Sequence, residues 1–354
     1  MNASDLLSPG TVIRDTYTVD AHIASGAFAD VYRVRHRFMG MQAMKVLRDG
    51  QTAEQRIQGL YEAFRLAKVA HPSIVRVYDG NHLEARHGGL PYVTMELIEG
   101  GTLANLERIV RGSFLCGLLD ACEQLAAALA HAHSQDPPIV HRDIKPTNVL
   151  VTHRADGGVA VRLADFGLAV PISESLGFAI GHGTLLYRSP ESLGGIELPA
   201  SDVYSWGLTM YEAATGLSPF TMQLRATDRC DVPGLVEALK LAQNSNIEAP
   251  SHFRHEIHPI VDALVMRCLC NDHRLRIQSG ISLLRATIAA RSIVCGDPKP
   301  PAAIRRALFL CRSPARTKEA AHLLSRAILA ENTDASAYRP WMDFLGSEHD
   351  RLSR

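Results

Sequence analysis

The sequence predicts an α+β fold with two lobes, in which a small strand-rich lobe precedes a large, mainly helical lobe. The chain has 354 residues, which exceeds the length that one hydrophobic core usually serves. Short runs with partial alternation dominate up to Ile98, and helical spacing dominates after Gly100-Gly101. Hydrophobic residues make up 46% of the chain, which is enough for a large core. Ligands commonly bind between two such halves.

Residues 17–98 are predicted to form the small lobe, with five antiparallel strands and one main helix. The strands are predicted in the runs YTVDAHIA, DVYRVRHRF, QAMKVLR, IVRVYDG and PYVTMELI. The helix is predicted over TAEQRIQGLYEAFRLAKVA, because Thr52 and Gln55 have the spacing of a capping box. The dipeptide His71-Pro72 ends this helix. A polar leader, residues 1–16, precedes the lobe.

Residues 99–291 are predicted to form the large lobe. The runs FLCGLLDACEQLAAALAHAH and SDVYSWGLTMYEAATG are predicted to be its main apolar helices. Residues 292–354 are predicted to be a linker followed by a C-terminal helical extension. Ala320, Leu324 and Ala327 have the small–large–small spacing of a tetratricopeptide-like helix. The extension is therefore either such a repeat or an unrelated helical segment packed on the large lobe.

Composition argues against several classes of partner. Lys plus Arg and Asp plus Glu both total 37, and a formal net charge of zero argues against nucleic acid as a partner. No apolar run approaches the ~20 residues that cross a bilayer, so no membrane span is expected. Seven Cys at irregular spacing make a poor disulfide framework. Together these observations predict a protein of the reducing cytoplasm.

The strongest chemical signal is HRDIKPTN, residues 141–148. It places a carboxylate, an amine and a carboxamide at Asp143, Lys145 and Asn148, a set that suits phosphoryl transfer. Asp143 can accept a hydroxyl proton, Lys145 can neutralise the moving phosphate, and Asn148 can hold a metal ion. Asp165 of a DFG motif follows Asn148 by seventeen residues and supplies a second carboxylate for metal.

These motifs, in this order and spacing, resemble the eukaryotic-type Ser/Thr protein kinase family, and the short loops resemble its bacterial members. The resemblance covers about residues 17–291. It implies a bilobed protein-kinase fold, a protein substrate, and ATP with Mg²⁺ as cofactors, with Mn²⁺ as an alternative ion. It also implies that Lys45 of AMK positions the phosphates and is held by Glu62 on the following helix. Lys145 and Thr184 resemble the Ser/Thr-specific pattern.

The run IASGAFADVYR resembles a glycine loop of this family that retains Gly26, with alanine at Ala24 and Ala29. We interpret the loop as modified, with weaker or slower nucleotide handling. Met95 resembles the residue that limits the back of the adenine pocket, and backbone groups of residues 96–98 would bond adenine. The full set implied to bind nucleotide comprises Ala24, Ser25, Gly26, Ala27, Phe28, Val31, Ala43, Lys45, Met95, Glu96, Ile98, Leu150 and Asp165.

The resemblance also implies structural and regulatory residues. Glu191 of GTLLYRSPE and Arg276 of NDHRLRIQ would form a buried ion pair, and Asp202 would brace the backbone of the catalytic loop. Arg142 would pair with a phosphorylated residue of the activation segment. The candidate phosphorylation sites are the two serines of PISESLG, Ser173 and Ser175.

Two alternative functions stay open at this point. The thinned glycine loop would suit a pseudokinase, or a weakly active kinase, that acts as a nucleotide-regulated scaffold. A small-molecule phosphotransferase would share an Asp…Asn catalytic loop but would lack the peptide-docking elements, whereas SPE, Asp202 and Arg276 are present here. One repeat cannot bury its own apolar face, so the C-terminal helices are expected to pack on the large lobe or on a partner protein.

Overall fold

The small lobe is a six-stranded antiparallel sheet with the strand order β1-β2-β3-β4-β6-β5. The computed structural model describes residues 6–26, 29–47, 70–84, 89–110, 113–165, 185–220, 232–296, 299–331, 333 and 335–353. The strands of the sheet are β1 Val12–Ile13, β2 Tyr17–Ser25, β3 Ala29–His36, β4 Gly40–Leu47, β5 Val77–His82 and β6 Pro91–Glu96. The helix predicted from Thr52 lies outside the described residues.

The predicted count of five strands is wrong by one. The additional strand β1 lies in the predicted leader and pairs with β2 in the register Val12↔Thr18 and Ile13↔Tyr17. The Ile13 side chain is fully buried in the small-lobe core. A strand of two residues carries no alternation, so the sequence pattern could not reveal it.

The two faces of this sheet have different neighbours. Successive side chains of a strand point to opposite faces. One face carries Tyr32, Met44 and Tyr92, which belong to the buried core of the small lobe. The strand registers pair residues on the opposite face, which carries Val31, Ala43, Lys45, Val93 and Met95. We call this second set the open face of the sheet.

The large lobe and the extension contain ten α-helices among the described residues. They are α1 Leu106–Ile109, α2 Phe114–His133, α3 Pro199–Thr215, α4 Val232–Gln243, α5 Pro250–Phe253, α6 Pro259–Cys268, α7 Gly280–Gly296, α8 Ala302–Leu310, α9 Thr317–Ala330 and α10 Arg339–Leu352. A three-stranded antiparallel sheet lies among them, with the strands β7 Gly101–Thr102, β8 Val149–His153 and β9 Val159–Leu163.

Helix α2 lies at the centre of the large lobe. Leu119, Leu125 and Leu129 on this helix are fully buried. Of the helices in the described part of the chain, α2 is the one whose length and composition would allow it to cross a bilayer. Its apolar side chains lie in the core of the large lobe, against α3, α7 and β9. Core packing therefore accounts for its apolar character.

The C-terminal extension shares the hydrophobic core of the large lobe. Buried apolar residues of α8, α9 and α10 belong to the same cluster as those of α2, α3 and α7. Arg267 on α6 is 1% exposed and donates hydrogen bonds to the Cys311 carbonyl and the Thr317 hydroxyl, both at 3.0 Å. Helix α7 continues through residues 291–292, where a domain boundary was placed, and ends at Gly296. The domain limits themselves stay predictions.

Candidate active site

The loop between α2 and β8 brings together Asp143, Lys145 and Asn148 of the HRDIKPTN motif. The Lys145 Nζ atom lies 3.0 Å from Asp143 Oδ1 and 2.8 Å from Asp143 Oδ2. The Asn148 amide nitrogen donates to Asp143 Oδ2 at 2.9 Å and to the Asp143 carbonyl at 2.8 Å. A short helical turn, Pro146–Asn148, shortens the chain between these residues. The Asp143 carboxylate is therefore held in one orientation by an ammonium and an amide.

Asp202 on α3 holds the backbone of this loop. Its carboxylate accepts the His141 backbone N–H at 2.6 Å and the Arg142 backbone N–H at 2.9 Å. Arg142 has φ +71°, a left-handed conformation that is costly for a residue with a Cβ atom. Burial raises the pKa of Asp202, but the hydrogen bonds that it accepts from the His133 side chain and the His141 backbone bring it below the ordinary value. The fixed, ionised carboxylate stabilises the strained turn.

His133 supports Asp202, and the sequence analysis missed this role. The His133 Nδ1 atom accepts the Gly280 backbone N–H at 2.9 Å. The other ring nitrogen, Nε2, therefore carries the proton in the neutral ring and donates to Asp202 at 3.0 Å. His133 ends α2 and Gly280 begins α7. A histidine at the end of an apolar helix carries no pattern that would distinguish this role from simple packing.

His141 connects the loop to the start of the DFG motif. Its Nδ1 atom accepts the Asp143 backbone N–H at 3.2 Å, and its Nε2 atom lies 2.9 Å from the Ala164 carbonyl. These contacts require the neutral ring with the proton on Nε2. Burial lowers the pKa of His141, only partly opposed by the charge of Asp202, which is consistent with the neutral form. The neutral ring thus links Asp143 to the residue before Asp165.

Asp165 and Lys45 form an ion pair between the two lobes. The Lys45 Nζ atom, on the open face, lies 2.7 Å from Asp165 Oδ1. Burial raises the pKa of Asp165, but the charge and hydrogen bond of Lys45 bring it below the ordinary value. Asp165 has φ +62°, which is unusual for a residue with a side chain. Glu62, the partner implied for Lys45, lies outside the described residues.

The donor set near Asp165 fits a divalent metal ion. Asn148 uses its amide nitrogen on Asp143, which leaves the carbonyl oxygen of its carboxamide as the group that can face a cation. Asp165 contributes an ionised carboxylate that already binds one cation, the Lys45 ammonium. Carboxylate and amide oxygens are the hard ligands that Mg²⁺ prefers. Asn148 and Asp165 are therefore the residues that could hold the ion.

The residues implied to bind nucleotide lie on three structural elements. The open face of the sheet carries Val31, Ala43, Lys45 and Met95, and strand β8 in the other lobe carries Leu150. Glu96 and Ile98 are half-buried in the segment that leaves β6. The Glu96 carboxylate lies 3.6 Å from the Arg162 guanidinium, and the pair links this segment to β9. This ion pair thus connects the small-lobe sheet to the three-stranded sheet of the large lobe.

The glycine-loop run forms the end of the β2–β3 hairpin. The Gly26 backbone N–H donates to the Ala29 carbonyl at 2.8 Å, and Ser25 donates to the Asp30 carboxylate at 2.7 Å. Gly26 does not have a positive φ, and an added Cβ atom would lie 3.5 Å from the nearest atom, the Ala29 carbonyl oxygen. The hairpin itself therefore does not require glycine at this position. The implied residues Ala27 and Phe28 lie outside the described residues.

Glu191 and Arg276 form a buried ion pair below the catalytic loop. Two nitrogens of the Arg276 guanidinium donate to the two carboxylate oxygens of Glu191, at 2.6 and 3.1 Å. The Arg276 side chain is fully buried, and it stacks 4.8 Å from the Tyr204 ring. Burial raises the pKa of Glu191, but Arg276 brings it below the ordinary value. Four further expectations lie outside the described residues, namely those on Glu62, Ser173, Ser175 and Thr184.

Two neighbouring contacts were also missed by the sequence analysis. The Tyr187 hydroxyl donates to the Glu212 carboxylate at 2.5 Å, and Arg188 forms an ion pair with Glu197. These contacts join the segment before Glu191 to α3 and to the residues just before it. No spacing rule relates these positions, so no sequence signal could have found them.

Comparison with known proteins places this geometry in a family. A model of the protein kinase domain matches residues 17–285. The chain is 32% identical over 293 residues to the probable serine/threonine-protein kinase SCO3848 of Streptomyces coelicolor, covering 80% of this chain and 40% of that protein. It is 37% identical over 212 residues to the serine/threonine-protein kinase PknL of Mycobacterium tuberculosis, covering 58% of this chain and 50% of that protein. The chain thus spans half or less of the length of these relatives.

The fold comparison agrees with the sequence comparison. The kinase domain of Mycobacterium tuberculosis PknI superposes with a TM-score of 0.59 at 24% sequence identity. The match covers 80% of this chain and 99% of that domain, and it concerns the fold alone. The matched family model extends over most of the chain and includes each of the motifs described above. The chain therefore belongs to the protein kinase family.

Proposed function

We propose that this chain is a serine/threonine protein kinase that transfers the γ-phosphoryl group of ATP to hydroxyl groups of a protein. The observation that carries the proposal is that Lys145 and Asn148 both donate to the Asp143 carboxylate. Each of these contacts is 3.0 Å or shorter. The Lys45–Asp165 ion pair, at 2.7 Å, supports the same assignment from the other lobe. Phosphoryl transfer depends on positioning and charge stabilisation, which these groups supply.

In the proposed mechanism, Asp143 orients the incoming hydroxyl and accepts its proton. Lys145 and Asn148 hold the Asp143 carboxylate in one orientation, and Lys145 also neutralises charge on the transferred phosphoryl group. Lys45 positions the phosphates. Asp165 and Asn148 would hold Mg²⁺ or Mn²⁺, which supplies positive charge to the phosphate oxygens when bound.

The preference for serine and threonine rests on the catalytic loop. Lys145 lies two residues after Asp143 and contacts both of its carboxylate oxygens. This lysine resembles the Ser/Thr-specific pattern, and the named relatives are serine/threonine kinases. The protein acceptor and the cytoplasmic location belong to the same proposal. Incubation with separate peptides that offer serine, threonine or tyrosine measures the preference, and preferential labelling of tyrosine would contradict it.

We also propose that the alanines of the glycine loop weaken nucleotide binding. Ala24 is exposed on β2, whereas Ala29 is 4% exposed, so its methyl group packs inside the lobe. Ala24→Gly is therefore the cleaner test, because Ala29→Gly also removes a buried methyl group. We expect Ala24→Gly to lower the KM for ATP. An unchanged KM would show that the alanine is neutral.

We propose that Arg142 binds a phosphoserine at Ser173 or Ser175. The Arg142 Nε atom is buried and has no hydrogen-bond partner in the described part of the chain, which leaves it able to bind an added anion. Intact-mass measurement after incubation with ATP and Mg²⁺ tests the modification. Full activity without any added phosphate on either serine would contradict the proposal.

The direct test of the proposed function is transfer of label from γ-labelled ATP to a generic protein acceptor. Asp143→Asn keeps the size of the side chain and should abolish labelling. Asp156→Asn is the matched control, because the Asp156 side chain is 61% exposed in a surface turn, far from the loop contacts described above. Nucleotide-dependent thermal stabilisation without any labelling would instead support the pseudokinase alternative. Labelling of small alcohols and not of protein would support the small-molecule phosphotransferase.

A further inference from the structure

We propose that Cys116 and Cys295 form a redox site that closes to a reversible disulfide when the protein meets a peroxide. Cys116 lies in the first turn of α2, and Cys295 lies in the last turn of α7. Both thiols are free, and both residues are exposed. The Cys116 thiol is near enough to Cys295 to raise the pKa of that thiol. Nothing in the proposed kinase chemistry uses either thiol.

The packing of α2 against α7 explains why the two thiols lie near each other. The Gly280 N–H at the start of α7 contacts His133 at the end of α2, so the helices run antiparallel. Further along, the Arg291 guanidinium lies 3.8 Å from the Asp120 carboxylate. Cys116 precedes Asp120 by four residues, and Cys295 follows Arg291 by four residues. On each helix, about one turn therefore separates the ion pair from the cysteine.

The reaction needs only the two thiols and the peroxide. One thiolate attacks an oxygen of hydrogen peroxide, the O–O bond breaks, and a sulfenic acid and hydroxide form. The second thiol attacks the sulfenic sulfur, the S–S bond forms, and the S–O bond breaks. Two thiols and one peroxide thus give one disulfide and two waters. A dithiol reductant reverses the change.

The surroundings of the pair determine when it reacts. Burial and the neighbouring Cys116 thiol raise the pKa of Cys295, and the Arg291 guanidinium opposes this effect. The Cys295 thiol therefore remains mostly protonated at neutral pH, and its oxidation is slow. Because the two thiols lie on neighbouring turns of packed helices, the second step is intramolecular, so the sulfenic acid is consumed before it is oxidised further. The site responds to sustained peroxide and stays reduced otherwise.

The disulfide would secure the point where the large lobe meets the extension. Gly296 follows Cys295, and a Cβ atom at Gly296 would lie 2.8 Å from the Ala337 methyl group, just before α10. The last turn of α7 thus supports the C-terminal helices as well as the lobe core. A bond between Cys116 and Cys295 would restrain this turn in the folded state. It would also connect positions far apart in the unfolded chain, which restricts the unfolded ensemble.

The test is peroxide treatment of the full chain, followed by thiol blocking, protease digestion without reductant and mass spectrometry. We expect a linked peptide pair containing Cys116 and Cys295, with a loss of two hydrogens that dithiothreitol reverses. Cys116→Ser and Cys295→Ser should each abolish the linked pair, and Cys270→Ser, a partly buried thiol elsewhere, should not. The oxidised protein should also show a higher thermal midpoint than the reduced protein, a difference that both serine variants lose.

Several results would overturn the proposal. One is linkage of either thiol to a different cysteine, Cys230 included, or to a second chain. Another is accumulation of sulfinic acid on Cys116 or Cys295 without any linked peptide. A linked pair that forms without a change in thermal midpoint would retain the redox site but remove its proposed effect on the extension. These readouts do not depend on kinase activity, so they are independent of the proposed function.

Discussion

Replacing Arg276 with methionine is expected to destabilise the large lobe strongly. The Arg276 side chain is fully buried and donates five hydrogen bonds. Two reach the Glu191 carboxylate, and the others reach the backbone carbonyls of Cys270, Asn271 and Ala200. Methionine has a similar length but donates none of these bonds. The change therefore leaves a buried carboxylate and three carbonyl groups without their donor.

The magnitude follows from the buried carboxylate. Breaking a buried ion pair from one side costs about 3–5 kcal/mol, because the remaining charge has lost its partner. In a chain of this size about 1 kcal/mol shifts the thermal midpoint by about 2 °C, so a fall of about 6–10 °C is expected. Glu191→Gln combined with Arg276→Met should recover part of this loss, because the carboxamide carries no charge.

The pH dependence provides a sharper test. With Arg276 present, the pKa of Glu191 is lowered, so the pair stabilises the protein above the unfolded pKa and loses its effect as pH falls. Without Arg276, burial is the largest remaining influence and raises the pKa of Glu191, although the Ser201 hydroxyl still donates to the carboxylate. Protonation of Glu191 as pH falls therefore reduces the destabilisation of the variant. The difference in midpoint between wild type and Arg276→Met should therefore shrink between about pH 7 and about pH 5.

The assay is differential scanning fluorimetry or calorimetry of both proteins across that pH range. Arg274→Met is the matched control, because the Arg274 side chain is 79% exposed and its pair with Asp272 lies at the surface. A solvent-exposed ion pair contributes little to stability, so this control should change the midpoint little. A shift for Arg276→Met no larger than that of Arg274→Met, or one that does not vary with pH, would refute the reasoning.

Three further outcomes are expected. Gly280→Ala should lower the free energy of unfolding by about 1–3 kcal/mol in a denaturation assay, because the new Cβ atom would lie 2.3 Å from the α2 backbone. Gly346 lies on an exposed helix face with no atom within 4 Å of an added Cβ, so Gly346→Ala should raise the free energy of unfolding by about 0.5–1 kcal/mol. Burial lowers the pKa of His141, so the unfolded state binds the proton more readily and stability should fall as pH drops below about 6.5. His141→Asn should flatten the dependence of stability on pH in this range, and an unchanged slope would contradict a neutral buried His141. Arg351 donates to the carbonyls of Arg274 and Arg276 at 2.8 and 3.1 Å, so Arg351→Ala should destabilise the chain by about 1–3 kcal/mol in the same denaturation assay; an unchanged midpoint would contradict a structural role for these contacts.

The sequence predicted the architecture well where patterns are long. The runs behind β2, β3, β4 and β6 alternate over several residues, and the α2 run has a continuous apolar face, so each was recognised. Strand β1 was missed because two residues carry no period. Strands β8 and β9 were also missed, since they lie beside the catalytic motif in a region otherwise interpreted as helical. The β8–β9 hairpin carries Leu150 and ends next to Asp165.

The candidate site was predictable where its residues are close in sequence. Asp143, Lys145 and Asn148 lie within six positions, so a single turn brings them together. The DFG motif follows after one hairpin. The roles of these residues, the limits of the domains and the cytoplasmic location remain predictions. The ion pair of Lys45 with Asp165 could not be derived from local spacing, because it depends on how the two lobes meet.

The sequence by itself determined which residue types are available for phosphoryl transfer, because their order and spacing are properties of the chain. Only the tertiary structure decided which groups hold them in place. Asp202 reaches the catalytic loop from 61 residues away, and Gly280 reaches His133 from 147 residues away. The proximity of Cys116 to Cys295 depends in the same way on the antiparallel packing of α2 and α7. Hydrophobic periodicity shows which face of a helix is buried, but it does not show what that face is buried against.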